Sequence, residues 1–480
     1  MDLAAYAALD GTGLAEAVRA GSVSAGELVE TAHRAANGTA GTVGAVAEFY
    51  TDRLEQVTEV DAGLPFAGVP IMMKDVGFHE RGRSATCGSA LLEGVMAAED
   101  SELMRRLRAA GVTSVGRTTA SEFAIMATVE TRAYGITRNP WDGSRIAGGS
   151  SGGAAAAVAA GIVPVAHGND GGGSIRMPAA CCGVVGMKPS RGRVSSAPWR
   201  RPVGDLVYEF VLTRSVRDSA RMLDVLAGPD PDVTHGLPTP EAGYAGCLER
   251  PSEPLRIGYT LERMDGRPTD PEVRAGVERA VELCAALGHE MVECRPELPY
   301  ESYVEATLAV WGLETAIAVD EAALASGRPA DDEHLEGLTL AWAEHGRRLT
   351  PLRLGRALDV LDDVRRRMNR FMAGFDAYVS STLPVLPPPL GTYDPDLDVP
   401  AEWYYGSPVG QLEVTTMVFN CSGQPAISIP LEVSVEGLPI GIHLAAPHGR
   451  DDTVLQLAAD LERAAPWRHR LPPVHVSRIG

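Results

Sequence analysis

The residue types able to do chemistry crowd into Gly148–Pro178, GGSSGGAAAAVAAGIVPVAHGNDGGGSIRMP. Two glycine–serine clusters, Gly148-Gly149-Ser150-Ser151-Gly152-Gly153 and Gly171-Gly172-Gly173-Ser174, bracket an alanine-rich run and a short apolar one. Grouped glycines are costly in chain entropy, so they mark a backbone that turns sharply or brings free N–H groups to a ligand. A phosphate loop would need Gly-Lys-Ser/Thr, which neither cluster has. A nucleophile elbow, Gly-x-Ser-x-Gly, is matched by Gly149–Gly153 and would make Ser151 the nucleophile; it requires a histidine elsewhere and leaves the second cluster without a role. The third chemistry makes Ser174 the nucleophile, with the amides of Gly171, Gly172, Gly173 and Ser174 as an oxyanion hole. Asp170 and Arg176 flank that cluster and read as residues that hold the loop in shape. Ser151 either orients Ser174 or caps the alanine helix, the cap being favoured. A single such cluster is often a flexible loop; two, so flanked, argue against that.

GGSSGG, then DGGGSIRMPA, then CGVVGMKPSRGRVS together resemble the amidase signature family. The strand GVPIMMKD around Lys74, the linker Tyr134–Asp142, and Asn420-Cys421-Ser422-Gly423-Gln424-Pro425 near the end are similar to it as well. Details such as AHGND lie closest to the branch holding 6-aminohexanoate cyclic dimer hydrolase. The resemblance spans most of the chain. It implies an α/β fold, one large mixed twisted β-sheet covered by helices on both faces.

The resemblance also implies roles. Ser174 would be the nucleophile, Ser150 a proton relay and Lys74 the base, with the Gly149–Ser150 peptide cis. The chemistry is coherent: desolvation lowers a lysine pKa until the neutral amine can accept a proton, and a hydroxyl between base and nucleophile can donate and accept in turn. Met126, Ala127 and Thr128 match positions that face the substrate, and the block 301–375 matches a helical cover over the site. Trp311 and Leu313 are candidates for the acyl pocket, as is Asn420, and Tyr404 and Tyr405 for its rim. Many relatives have threonine where this chain has Gly171, which loosens the loop or makes room for a bulkier substrate. The implied function is a metal-independent amidase with no cofactor, acting on a small-molecule amide. The alternatives are an A-type subunit of a glutamine-dependent tRNA amidotransferase, a carbamate or ester hydrolase on the same residues, or a noncatalytic binding protein.

Composition narrows the setting. A net charge of −20 over 480 residues argues against nucleic acid and against an anionic membrane surface. The seven cysteines, scattered without Cys-x-x-Cys spacing, fit reduced thiols in a cytoplasm. Asp331-Asp332-Glu333-His334 reads as a solvated helix start rather than a metal site. A homodimer is left open.

The elements that must position these residues follow from pattern. Residues 1–60 read as a helical layer, with Ser24 and Glu27 forming a capping box. Residues 61–200 are the signature core and 376–480 its C-terminal part, all in one domain, 1–480. Phe66–Met73 reads as a buried strand delivering Lys74, and Asp100 as the cap of a helix to Ala110. The alanine run reads as a helix closed at Gly161, followed by a strand Ile162–Ala166. Such a unit folds back and brings both serine clusters to one end of a sheet. After Gly186 comes a loop containing Arg191, Arg193, Arg200 and Arg201; Leu255–Thr260 is a strand and Asp270-Pro271 opens a helix. The block 301–375 is helical apart from a break at 326–329. Ala377–Thr382, Ala426–Val433 and Pro439–Ala445 are strands, the last two a hairpin, and Asp452–Ala465 is a final helix.

Overall fold

Apolar segments of four to eight residues supply the framework of the computed structural model, which describes residues 1–56, 60–77, 79–198, 203–228 and 236–479. In chain order the strands are β1 Val46–Phe49, β2 Pro70–Lys74, β3 Thr113–Thr118, β4 Glu130–Thr131, β5 Gly135–Ile136, β6 Val165–Asp170 and β7 Val185–Lys188. They continue with β8 Tyr208–Thr213, β9 Arg256–Tyr259, β10 Glu290–Glu293, β11 Ala377–Ser381, β12 Ala426–Val433 and β13 Pro439–Ala445. Eleven of them form one sheet in the order β1-β3-β2-β6-β8-β7-β12-β13-β11-β9-β10, and β4 and β5 pair separately. The sheet is mixed: β3, β2 and β6 run parallel, as do β11, β9 and β10, while the strands between pair antiparallel. Helices cover it, as expected. A continuous apolar core runs from Tyr6 to Val476.

This topology places the chemistry. β2 and β6 are parallel neighbours, with Ile71 opposite Val165 and Met72 opposite Ala166, so Lys74 and the residues before Gly171 end at the same edge. The helix Gly152–Ala159 connects the first serine cluster to β6, and every one of its residues is buried. It has no polar face because the sheet and the helix Arg176–Cys182 enclose it.

Several elements depart from expectation. The N-terminal layer holds helices Leu3–Ala8, Gly11–Arg19 and Ala25–Val43, but then β1 leaves it and pairs antiparallel with β3 as an edge strand. β6 starts at Val165, not Ile162. The Ile162 N–H still bonds back to Ala157 in the helix, and Pro164 has no N–H to give a ladder. β6 instead runs on through the polar residues His167, Asn169 and Asp170. Strands β7 and β8 were not anticipated, although YEFVLT is rich in strand formers. Ser101 caps the helix Glu102–Ala109, and Asp100 pairs with Arg108 at 2.5 Å. The helical cover is three helices, Tyr300–Ser326, Gly337–Arg347 and Pro351–Met372, with a second break where Thr350 caps and Pro351 starts the last. Asp331–His334 lies in a turn before the helix Gly337–Arg347. Arg200 and Arg201 lie outside the described residues.

The Ser24–Glu27 capping box is present, with each side chain bonded to the other's backbone N–H. Ser24→Ala should therefore cost about 1 kcal/mol of stability, read as a lower urea midpoint with an unchanged slope.

Candidate active site

Lys74 ends a strand whose residues are all buried, and only 1% of its own surface is exposed. Its Nζ lies 2.7 Å from Ser150 Oγ and 2.5 Å from Asn169 Oδ1, and no carboxylate pairs with it among the described residues. Burial pulls its pKa down to about 7, against the pull of Glu209, Asp170 and Cys87 in the other direction. Near neutral pH, then, a large fraction of this amine carries no charge.

Ser150 is fully buried and follows a cis Gly149–Ser150 peptide. Ser151 holds the N-cap position of the helix Gly152–Ala159, yet its hydroxyl does not cap. Its backbone, φ −89° and ψ 38°, is not the extended form a capping side chain needs. Its Oγ donates instead to the Asn169 carbonyl at 3.3 Å, and its N–H donates to the Ser174 carbonyl at 3.2 Å, tying the two clusters together. No imidazole bonds to Ser151 Oγ among the described residues, so the elbow reading lacks its base. Ser150 and Ser174 both line a cavity of about 440 Å³. No hydrogen bond joins their hydroxyls in this structure. Such bonds are often long before substrate arrives.

The loop carrying Ser174 is clamped from below. Arg176 is fully buried; its Nε and Nη2 each lie 2.9 Å from Asp170, which also accepts from the N–H groups of Ile175 and Arg176. Burial alone would push the Asp170 carboxyl up, but Arg176 and then Asn420 outweigh it and hold it at about 2. Asn420 was expected to line the pocket. It is buried on this clamp instead, accepting from Arg176 at 2.6 Å and donating to Asp170 Oδ1 at 2.8 Å. The N–H groups of Gly171, Gly172, Gly173 and Ser174 have no protein acceptor among the described residues, and Gly171, Gly172 and Ser174 face the cavity. They remain available to an oxygen bound there.

Gly171 is explained by its neighbour. A Cβ at this position would lie 2.7 Å from Trp311 Cη2. The space a threonine side chain would need here is taken by the Trp311 indole rather than left to substrate.

The cavity wall differs from expectation in two places. Met126, Ala127 and Thr128 do not line it; Phe123, Ala124 and Ile125 do. The Met126 carbonyl and the Thr128 N–H stand against Gly149, where an added Cβ would meet each at 2.6 Å, so this segment backs the first serine cluster. Trp311 lines the cavity together with Glu314, Thr315, Ala318, Glu321, Ala322 and Ala325, one face of the helix Tyr300–Ser326. Leu313 does not, because two residues of helix turn it well away from that face. Tyr405 lines the cavity, while Tyr404 donates its hydroxyl to Glu413, a buried carboxyl beside Gly172 that burial pushes up to about 7.

Asn169, Glu209 and Glu413 were not anticipated. Asn169 had a signal: it sits two residues from His167 on the strand that delivers the glycine loop. His79, His167 and Glu209 bring possible metal-ligand atoms within 4.8 Å of one another, as do Asp331, Glu333 and His334. In the first group the ring nitrogens are occupied by Val76, Ser101, Glu209 and the Lys74 backbone. No helix among the described residues is long and apolar enough to cross a membrane.

Comparison with known proteins settles the lineage. The Amidase family model matches residues 27–455. The chain belongs to the amidase family. It is 36% identical over 476 residues to the 6-aminohexanoate-cyclic-dimer hydrolase of Paenarthrobacter ureafaciens, covering 96% of each chain. A solved structure of 6-aminohexanoate cyclic dimer hydrolase complexed with substrate superposes with a TM-score of 0.92 at 34% identity, over 98% of this chain and 99% of that one. A bacterial aryl acylamidase of the amidase signature enzymes gives 0.85 at 26% identity, over 96% and 97%. This amidase is an amide hydrolase on an α/β frame.

The packing at Gly171 of this amidase yields a test. Gly171→Thr should be destabilised by about 1–3 kcal/mol through overpacking, seen as a lower unfolding midpoint. Adding Trp311→Ala should make the cost of the threonine smaller, so the double-mutant cycle should be non-additive.

Proposed function

We propose that this amidase cleaves the C–N bond of a carboxylic amide through an acyl-enzyme on Ser174, with Ser150 as relay and Lys74 as base. The observation that carries the reading is the buried Lys74 amine, with no acid paired to it among the described residues and 2.7 Å from Ser150 Oγ. Neutral Lys74 takes the Ser150 proton as Ser150 takes that of Ser174, and Ser174 Oγ attacks the amide carbonyl. The negative oxygen that forms is met by N–H groups of the Gly171–Ser174 loop; losing one such donor typically costs about 2.7–4 kcal/mol. The proton then returns through Ser150 to the leaving amine, the C–N bond breaks, and water hydrolyses the ester by the same relay. No step requires a metal or cofactor.

The cavity also narrows the substrate. Its aromatic and aliphatic wall (Leu92, Phe123, Ile125, Trp311, Trp342) suits an apolar acyl group; among the described residues its titratable carboxyls are Asp205, which pairs with Arg191, Glu209, Glu314, Glu321 and Glu413, and no arginine or lysine lines it. A free carboxylate on the substrate would be repelled. We therefore propose amides without one. The 6-aminohexanoate cyclic dimer, named for two relatives, has no chain ends and meets that condition.

A fluorophosphonate should label Ser174, located by mass spectrometry, and Lys74→Ala should abolish the labelling. Ser150→Ala should lower kcat/KM by at least about a hundredfold. An adduct on Ser151 alone would overturn the assignment. Because protonated Lys74 is no base, kcat/KM should fall as pH drops below about 7 and level off above it. Amine release from the cyclic dimer should exceed that from the linear dimer; the reverse order would reject the substrate argument.

A further inference from the structure

The lysine's second contact has a support of its own. β6 and β8 pair antiparallel with Asn169 opposite Glu209. His167 and Asn169, two apart on β6, share a face of the sheet. Asn169 Oδ1 lies 2.5 Å from Lys74 Nζ, and the register of β6 against β8 sets the Asn169 side chain beside that of Glu209 on the same face. Glu209 Oε2 lies 2.7 Å from His167 Nε2, while His167 Nδ1 accepts from the Lys74 backbone N–H at 3.4 Å. With Nδ1 accepting, the neutral ring carries its hydrogen on Nε2 and donates it to Glu209.

A neutral amine has two N–H bonds and one lone pair. It can take a proton from Ser150 only when that lone pair points at Oγ, so its N–H bonds must be held in other directions. Asn169 Oδ1 holds one. An amide can present either its oxygen or its NH2 group, and donation to a carboxylate fixes the oxygen on the far side, toward Lys74.

We propose that Glu209, acting through Asn169, is a positioning residue for the base: it fixes the amide whose oxygen orients the Lys74 amine toward Ser150, and its charge opposes the loss of that amine's proton. The proposal rests on the reading of Lys74 as base. The groups facing Lys74 are Glu209 on β8, Asp170 and His167 on β6, His79 after β2, and Cys87. Asp170 is matched by Arg176. Burial pushes His79 down to about 4, His167 down to about 3 and Cys87 up to about 12, so these three are uncharged near neutral pH. Burial pushes the Glu209 carboxyl above the usual range while His79 and Lys74 pull it back; it accepts from His167 Nε2 and has no arginine or lysine ion pair among the described residues.

The test is a pH profile of kcat/KM for one neutral amide, alongside fluorophosphonate labelling of the unaltered protein. A nearby carboxylate favours the lysine's charged form. Glu209→Gln should therefore move the acid limb to lower pH, by roughly one unit, while keeping the alkaline plateau within a few-fold. Asn169→Leu removes the oxygen acceptor and should lower the plateau itself, on the order of tenfold to a hundredfold. A merely structural role would scale both variants without moving the limb. If the unaltered protein labels at Ser174 and turns over amide but the Glu209→Gln limb stays in place, the proposal is overturned and the parent reading stands. If Ser174 does not label, both fall. Should Glu209→Gln fail to fold, Glu209→Asp, which keeps the charge on a shorter arm, should hold the limb position and lose plateau rate; a shifted limb would count against the proposal.

Discussion

Everything in the site depends on one amine being kept from water with no acid paired to it among the described residues. Burying an unpaired ammonium is expensive, and the protein escapes the cost by letting the group lose its proton. The chain contains a second fully buried lysine, and the contrast is instructive. Lys188 Nζ sits 3.7 Å above the Tyr208 ring and donates to the Pro189 carbonyl, so it is spent on structure. Lys74 faces a serine hydroxyl and an amide oxygen in the same dry setting, and that difference in partners separates a strut from the base proposed here.

The sheet makes the arrangement precise enough to work. Parallel pairing of β2 with β6 sets the lysine beside the serines, and the all-buried helix between the clusters has no freedom to slide. Below the loop carrying Ser174, Asp170 and Arg176 form a buried ion pair completed by Asn420. Such pairs add little net stability, but breaking one leaves a stranded charge. Here the pair fixes a glycine loop that has few side chains of its own to fix it.

Lys74, Ser150 and Ser174 were legible because a motif puts them on the page together, and the capping box, the β12–β13 hairpin and the alanine helix followed from local pattern. What could not be read came from contacts between distant segments. Asn169 and Glu209 meet only through the pairing of β6 with β8, and β8 was not foreseen. β6 was read three residues early because Pro164 and a helix-type bond at Ile162 decide its start, and neither shows in hydrophobicity. Leu313 was chosen beside Trp311 for its size, whereas helical phase decides which of the two reaches the cavity. Met126 to Thr128 were chosen by resemblance to the family's pattern, but in this chain they brace Gly149 while the three residues before them do the lining.

The contact between Trp311 and Gly171 joins two parts of the chain that might otherwise be treated as separate modules. The helical cover cannot be exchanged for a relative's, nor the nucleophile loop, without moving its counterpart as well. A chimaera that takes a threonine-bearing loop and keeps this indole inherits a collision, and one that takes the glycine loop under a smaller cover inherits a hole beside Gly171. Diversification of acyl preference along this lineage is thereby channelled into paired changes.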